Sequence, residues 1–459
     1  MLMFLQTDKE TTLMNDFNDA VQVRSNEELL NFRKKHFLPT VAHYHQTAIQ
    51  LTKAQDTYVW DSEGKRYLDA IGGIVCISAG HNHPKIKKAL IEALEDNTIQ
   101  HTSLLYLNQA PVDTAERLLE EAPNGMDRVS FTNSGSEANE LAIMAARHAT
   151  GETMVVNVRH SYHGGTSGAL ASCGHAVWRF KAQPVTGVTS AVEPYCYRCP
   201  FKSKPDDCGL ECAKNVETTI QNTTHGKIAA FILEPIMGVG GFITPPDEYF
   251  GEVAKIVHNY GGKYISDEVQ TGAGRGGGDL LMTKTLGIDA DMVTMAKGFG
   301  NGAPVGAVLM KTDVAETMTD KVYFNTFAGD PLQMIQSKLT LEIIKEEKLV
   351  ENARVMGELL KDGLLQLQLK HSLIGDVRGR GLMLGIELVK DRITKVPATE
   401  ETIQLMDMCK DKGLLLGKGG RFGNVFRIAP PLTITREQVN FMLETIDECL
   451  SDLSRLYLL

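Results

Sequence analysis

The sequence predicts an α/β fold: a large, mostly parallel sheet domain covered by helices, plus a smaller α+β domain. Three observations predict it. From about residue 125 to 310, short apolar runs alternate with helical patterns, as strands joined by crossover helices do. Those runs are apolar throughout, which suits strands buried on both faces. The flanks instead carry a hairpin, long helices and a restart of strand character, so both chain ends build a second unit. The expected limits are 76–345 for the large domain, with 1–75 and 346–459 forming the small one.

Taken in order, Thr57–Tyr67 (TYVWDSEGKRY) reads as a hairpin turning at Glu63-Gly64. Arg128–Thr132, Met154–Val158, Ala229–Glu234, Lys263–Asp267, Met292–Ala296 and Val305–Met310 read as buried strands. Tyr249–Tyr260 sets Phe250, Val253, Ile256 and Val257 on one helical face. A long helical stretch then covers about Leu332–Leu365, strand character returns over Ile374–Leu388, and Glu401–Lys412 and Arg436–Leu456 are helical. In such a sheet the ligand lies beyond the carboxyl ends of the strands.

Composition narrows the function. The 459 residues carry 47 basic and 57 acidic side chains, a net charge of −10, and 43% are hydrophobic. This argues against disorder. A pI near 5.8 without a basic block argues against nucleic acid or an anionic membrane as partner. No run approaches the roughly 18 apolar residues of a membrane span. The apolar opening Met1–Gln6 is too short, and lacks the basic flank, for a secretory signal. Eight cysteines in so long a chain do not make a disulfide scaffold, so a cytoplasmic location is expected. Glycine, at 42 residues, exceeds its usual share of about 7%, and glycines gather where backbone turns or approaches a ligand.

Three segments carry chemistry. Phe131–Asn139 runs from a strand into Ser134-Gly135-Ser136 at a helix start, an anion cup of the kind that takes phosphate; an ordinary N-cap is the plainer reading. Ile265–Gly272 ends a strand on Asp267 and Glu268 at the ligand edge, or else carries a solvated acidic pair. Met292–Gly298 places Lys297 at the end of another buried strand, where desolvation lowers an amine's pKa and prepares it for Schiff-base chemistry. A snorkelling surface lysine is its alternative. A lysine, a carboxylate and an anion cup together fit pyridoxal 5'-phosphate.

The chain also resembles the class III (ω-amino acid) aminotransferases of the fold-type I pyridoxal-phosphate enzymes. The motifs that carry this run in order: Tyr67-Leu-Asp69, Gly80-His-Asn-His-Pro84, Asn133-Ser-Gly-Ser-Glu-Ala-Asn139, Tyr162-His163-Gly164, Glu234-Pro235, Asp267–Gly272, Ala296-Lys297-Gly298, Asn325-Thr326-Phe327, Arg378-Gly-Arg-Gly381 and Arg427–Pro431. The resemblance implies that Lys297 binds the cofactor and shuttles a proton, and that Asp267 keeps the pyridine nitrogen protonated. It implies phosphate contacts from Ser134, Gly135 and Ser136, with Thr326 reaching in from the partner of a homodimer with shared active sites. Tyr162 would stack on the ring and Gln270 reach its phenolic oxygen, with His163, Glu234 and Val269 completing the cofactor site. Arg427 would bind the substrate carboxylate, with Tyr162 and Gly73 beside it. The implied reaction is ping-pong transamination between an amino donor and a 2-oxo acid. A lyase, decarboxylase or aminomutase on the same scaffold is the competing class.

Two departures from the family pattern matter. Ornithine and 4-aminobutyrate members continue Glu-Pro to a second glutamate, as in EPIQGE, which pairs with the carboxylate-binding arginine. Here Val239 stands at that place, favouring an alanine–glyoxylate or β-amino acid–pyruvate type with pyruvate or glyoxylate as acceptor. The other departure, Ala273 with Gly276-Gly277-Gly278, suggests a looser segment. Gly272-x-Gly274-x-x-Gly277 also offers a dinucleotide fingerprint, a weak motif when alone. Finally, Cys196, Cys199, Cys208 and Cys212 have a spacing that can hold structural zinc or an iron–sulfur centre, and His81 with His83 reads as a structural turn.

Overall fold

The computed structural model describes residues 24–40, 43–181, 186–203 and 207–456, so Met1–Gln6 lies outside the described residues. Strands β1 (Leu51–Gln55), β2 (Tyr58–Asp61) and β3 (Arg66–Asp69) form an antiparallel meander. The large sheet contains β4 (Met126–Thr132), β5 (Val155–Val158), β6 (Val188–Ala191), β7 (Ala230–Leu233), β8 (Lys263–Asp267), β9 (Met292–Met295) and β10 (Gly306–Lys311). Its seven strands lie in the order β4-β10-β9-β8-β7-β5-β6. Strands β5 to β9 pair in parallel, whereas β10 runs antiparallel to both β9 and β4. A parallel neighbour needs a crossover of a dozen or more residues. The link Ala296–Val305 is too short for one, so the chain returns directly. Lys297 sits in that tight return.

Helix Gly135–Thr150 packs on this sheet through Leu141 and through Ala138, Ala142, Ala145 and Ala146, whose small side chains let it lie close to the strands. Helix Asp247–Asn259 buries Tyr249, Phe250, Val253, Ala254 and Val257 on the face expected from its periodicity. The β6 run, Val-Thr-Ser-Ala, is a half-buried sheet edge with little apolar signal, which is why no strand was expected there. The long helical stretch divides into Pro331–Glu346 and Leu349–Lys370, because Lys348 takes a left-handed conformation (φ 53°) between them.

Toward the C-terminus, β11 (Ile374–Arg380), β12 (Met383–Leu388), β14 (Gly417–Gly419) and β15 (Val425–Ile428) form an antiparallel sheet in the order β11-β12-β15-β14. The short β13 (Leu414–Leu415) instead pairs in parallel with β3, tying the C-terminal part to the N-terminal meander. Helix Arg436–Leu456 buries Val439, Met442, Ile446, Leu450 and Leu453. On β12 the buried Glu387 accepts from Arg378 at 2.9 Å, from Arg198 and from the Tyr195 hydroxyl, fastening the loop after β6 to the small sheet.

Candidate active site

The carboxyl ends of β4, β8 and β9 open on a cavity of about 400 Å³, within the range of small-ligand sites. Strand β4 leads into helix Gly135–Thr150, whose N-cap Ser134 accepts from the Glu137 amide at 3.2 Å. The first amides of a helix have no intrahelical partner and sit at its positive end. The cup is close-fitting. A Cβ on Gly135 would stand 2.7 Å from Val269 Cγ1, and one on Gly164 would stand 2.5 Å from Ser136 Oγ. Gly164 also has φ +135°, a conformation that favours glycine. Gly164→Ala is therefore expected to weaken cofactor affinity roughly tenfold or more, since relieving about 1–3 kcal/mol of strain means displacing Ser136; titration of the apo-protein with pyridoxal 5'-phosphate measures it.

Opposite the cup, Asp267 ends β8 almost fully buried. Its Oδ2 accepts from Asn139 Nδ2 and His163 Nδ1, each at 2.7 Å, and its Oδ1 accepts from the Val269 amide at 3.0 Å. His163 therefore carries its proton on Nδ1, and the buried Nε2 is without a partner. Glu234, at the end of β7, accepts from the amides of Tyr162 (3.0 Å) and Gly238 (2.8 Å). Burial, reinforced by the nearby Asp267 charge, pushes the Glu234 carboxyl up to about 7. Lys297 lines the same cavity, and burial holds its amine below the usual lysine range. Its backbone lies at φ +44°, rare for a side chain of this kind and typical of strain held at functional sites. Tyr162 meets Trp178 at 4.9 Å between ring centroids, and burial raises its phenol. Gln270 lines the wall with its buried Oε1 unpaired.

The structure thus brings Ser134, Gly135, Ser136, Tyr162, His163, Glu234, Asp267, Val269, Gln270 and Lys297 around one cavity. Arg427 stands close by on β15, 5% exposed. It donates to the Gly238 carbonyl and approaches the Tyr44 hydroxyl, both at 3.4 Å, while its buried Nε has no partner. Its guanidinium lies 5.6 Å from the Phe242 ring. These partners are all neutral, in keeping with Val239 where a glutamate would sit. Gly73 lies with Tyr44 in an adjoining pocket of about 280 Å³. Thr326 is not among the cavity's lining residues and sits on an exposed stretch of this protomer.

Several lining residues escaped the sequence reading. Asn139 follows Gly135 by four positions and so shares its helix face, but that spacing does not say that it meets Asp267. Cys76 follows a strained turn (Ile74 φ 140°, Val75 φ 61°) that no local pattern announces. Tyr44 meets Arg427 across 383 positions of sequence.

Two expectations need correction. Among the described residues no group of three or more His, Cys, Asp or Glu side chains is placed to hold a metal ion, so the zinc or iron–sulfur expectation at Cys196, Cys199, Cys208 and Cys212 is unsupported. The four cysteines, none of them in a disulfide, line a small pocket shared with Pro194, Phe201 and Pro246. Burial there raises the Cys196 thiol and pushes Cys212 up to about 12. The Ala273–Gly278 segment is not loose either. Ala273 and Arg275 are buried, and Arg275 donates to the carbonyls of Ile77 (3.1 Å), Leu382 (3.2 Å) and Pro430 (2.7 Å). Gly277 (φ 78°) lies against the Arg354 backbone, leaving no space for a side chain and no dinucleotide cradle. His81 and His83 pair with Asp69 and Glu347, both at 3.0 Å, as parts of a turn.

The class-III aminotransferase family model matches residues 40–450. Alanine–glyoxylate aminotransferase 2 homolog 2, mitochondrial, of Arabidopsis thaliana is 42% identical over 93% of this chain and 88% of that relative. The human alanine–glyoxylate aminotransferase 2, mitochondrial, is 34% identical over 92% of this chain and 86% of its own length. Among solved structures, a thermostable (S)-enantioselective ω-transaminase from Thermomicrobium roseum superposes with a TM-score of 0.86 at 31% identity, covering 94% of this chain and 99% of that one.

Proposed function

The chain belongs to the class-III aminotransferases and is a transaminase, and from that premise we propose its site roles and substrates. The observation that carries the proposal is Lys297: a buried amine with a lowered proton affinity, in one cavity with a helix N-terminus and a buried carboxylate. Those groups fit pyridoxal 5'-phosphate, since the cup suits a phosphate and Asp267 suits a protonated ring nitrogen. When bound, that cofactor supplies an electron sink for the bonds at the substrate's α-carbon. Lys297 Nζ would be the group that holds it, and the same amine would carry the proton at the substrate's α-carbon. Ser134, Gly135 and Ser136 would bind its phosphate, Val269 and Tyr162 would wall the ring, and Gln270 would serve its phenolic oxygen. Glu234 and His163 hold Tyr162 and Asp267 in place.

Arg427, a buried cation with an unpaired Nε and neutral partners, binds the carboxylate of the substrate, with Gly73 and Tyr162 beside it. With Val239 in place of a gating glutamate, alanine or a related amino donor with pyruvate or glyoxylate as acceptor is the preferred pair, in line with the names of the relatives. A second copy of the chain completes the site. Leu104, Leu105, Tyr106 and Leu107 are exposed, as are Val322, Tyr323, Phe324 and Phe327; the two segments meet where Phe327 lies 5.4 Å from the His101 ring and Leu104 packs at Gly329. This is an apolar surface suited to a dimer, with Thr326 at its edge. Eight cysteines with no disulfide among them suit a reducing compartment such as the cytosol.

Borohydride reduction of the protein incubated with pyridoxal 5'-phosphate, followed by peptide mass analysis, is expected to find the cofactor on Lys297. L-Alanine alone should then bleach the visible band of unreduced protein, and glyoxylate or pyruvate should restore it. Labelling elsewhere would overturn the assignment, and release of ammonia or carbon dioxide without a keto acid would indicate the competing class.

A further inference from the structure

Every acceptor position of Asp267 but one is already in use. An ionised carboxylate offers about four lone-pair sites, two on each oxygen. Asn139 and His163 take both on Oδ2, and the Val269 amide takes one on Oδ1. Asn139 is itself held from both sides. Its Nδ2 also donates to the His163 carbonyl at 2.8 Å, and its Oδ1 accepts from the Thr294 hydroxyl at 2.7 Å. Both Nδ2 partners are acceptors and the Oδ1 partner is a hydroxyl, so the amide has one orientation that satisfies it. Thr294 lies directly beside Asp267 in the β8–β9 register. Asn139, Thr294, Asp267 and His163 are each 2% exposed or less, so water does not compete for these bonds.

We propose that Asn139, locked by Thr294, is a positioning residue: together with His163 it saturates Asp267 Oδ2, leaving one lone pair on Oδ1 to receive the cofactor's ring N–H. The inference rests on the cofactor reading above and deepens it. Asn139 lies on the helix whose first residues form the phosphate cup, one turn from Gly135. A single rigid helix therefore aligns the phosphate cup with the carboxylate at the far end of the ring. In this arrangement Asn139 acts through Asp267, setting which oxygen carries the exposed charge.

The test uses full-length protein loaded with pyridoxal 5'-phosphate labelled with 15N at the ring. In the wild type the ring nitrogen is expected to resonate in the pyridinium region. Asn139→Leu, which removes the donor at similar volume, is expected to move the signal toward neutral pyridine and to weaken cofactor affinity roughly tenfold or more, the usual effect of losing a hydrogen bond to a charged group. Thr294→Val, which keeps the side chain's shape, should move the signal in the same direction by less, and Thr294→Ser should restore it. A merely structural role would lower the melting temperature without moving the nitrogen signal. Variants that bind cofactor with wild-type affinity and an unmoved signal overturn the inference. If Asn139→Leu does not fold, Thr294→Val alone decides it. Failure of the wild type to bind the cofactor overturns the underlying reading instead.

Discussion

Lys297→Ala is expected to abolish transamination, lowering turnover by at least about a thousandfold, the scale of losing a positioned proton carrier. It should also prevent borohydride from fixing the cofactor to the protein. The fold should survive, because the lysine is a burden to the empty protein. Burial holds its amine below the usual lysine range. Between that lowered value and the ordinary one near 10.4, the unfolded chain binds more protons than the folded one, so the stability of the apo-protein rises with pH across this window. Removing the lysine removes that contribution. The apo-variant should melt no lower than the apo-wild type near neutral pH and show a flatter rise toward pH 10. Turnover within tenfold of wild type, or a collapsed melting curve, would sink the assignment.

Arg427→Gln is expected to raise KM for amino acid donors by about a hundredfold or more, since a buried, hydrogen-bonded charge pair at an interface is worth about 2–5 kcal/mol when one partner is truncated. The guanidinium is buried, its Nε is unpaired, and its neighbours Gly238, Tyr44 and Phe242 supply no countercharge. A substrate carboxylate would be the anion it lacks. A donor amine without a carboxylate should lose little, so the ratio of kcat/KM between alanine and a simple alkylamine reads the effect directly. An equal loss for both donors would assign Arg427 to the scaffold and leave the carboxylate unplaced.

The strands that carry Asp267 and Lys297 were legible because both end apolar runs at a sheet's carboxyl edge, where the chain must leave the core. The helix N-terminus at Ser134–Ser136, proposed as the phosphate cup, was legible for a related reason: small residues at a helix start leave a backbone signature in the sequence itself. Asn139 was not assigned a role, because its partner Asp267 lies 128 positions away, and nothing in helical periodicity reports which strand end a side chain meets. The Gly276–Gly278 run shows the opposite failure. Its composition suggested looseness, yet Arg275 is sealed beneath three carbonyls from distant segments.

The cysteines mark the same boundary. Their spacing was visible, but whether four thiols converge on a metal depends on how a loop folds against Pro194, Phe201 and Pro246. The sequence by itself determined the α/β class and the family, and it singled out Lys297 and Asp267 as candidates, because these rest on local backbone preferences and on motifs of a few adjacent residues. The tertiary structure alone decided that β10 reverses direction, that Asn139 and His163 load one oxygen of Asp267, and that Arg427 meets Tyr44. Each of these joins groups that are remote in the chain, and such meetings follow from the order in which strands assemble rather than from any pattern within them.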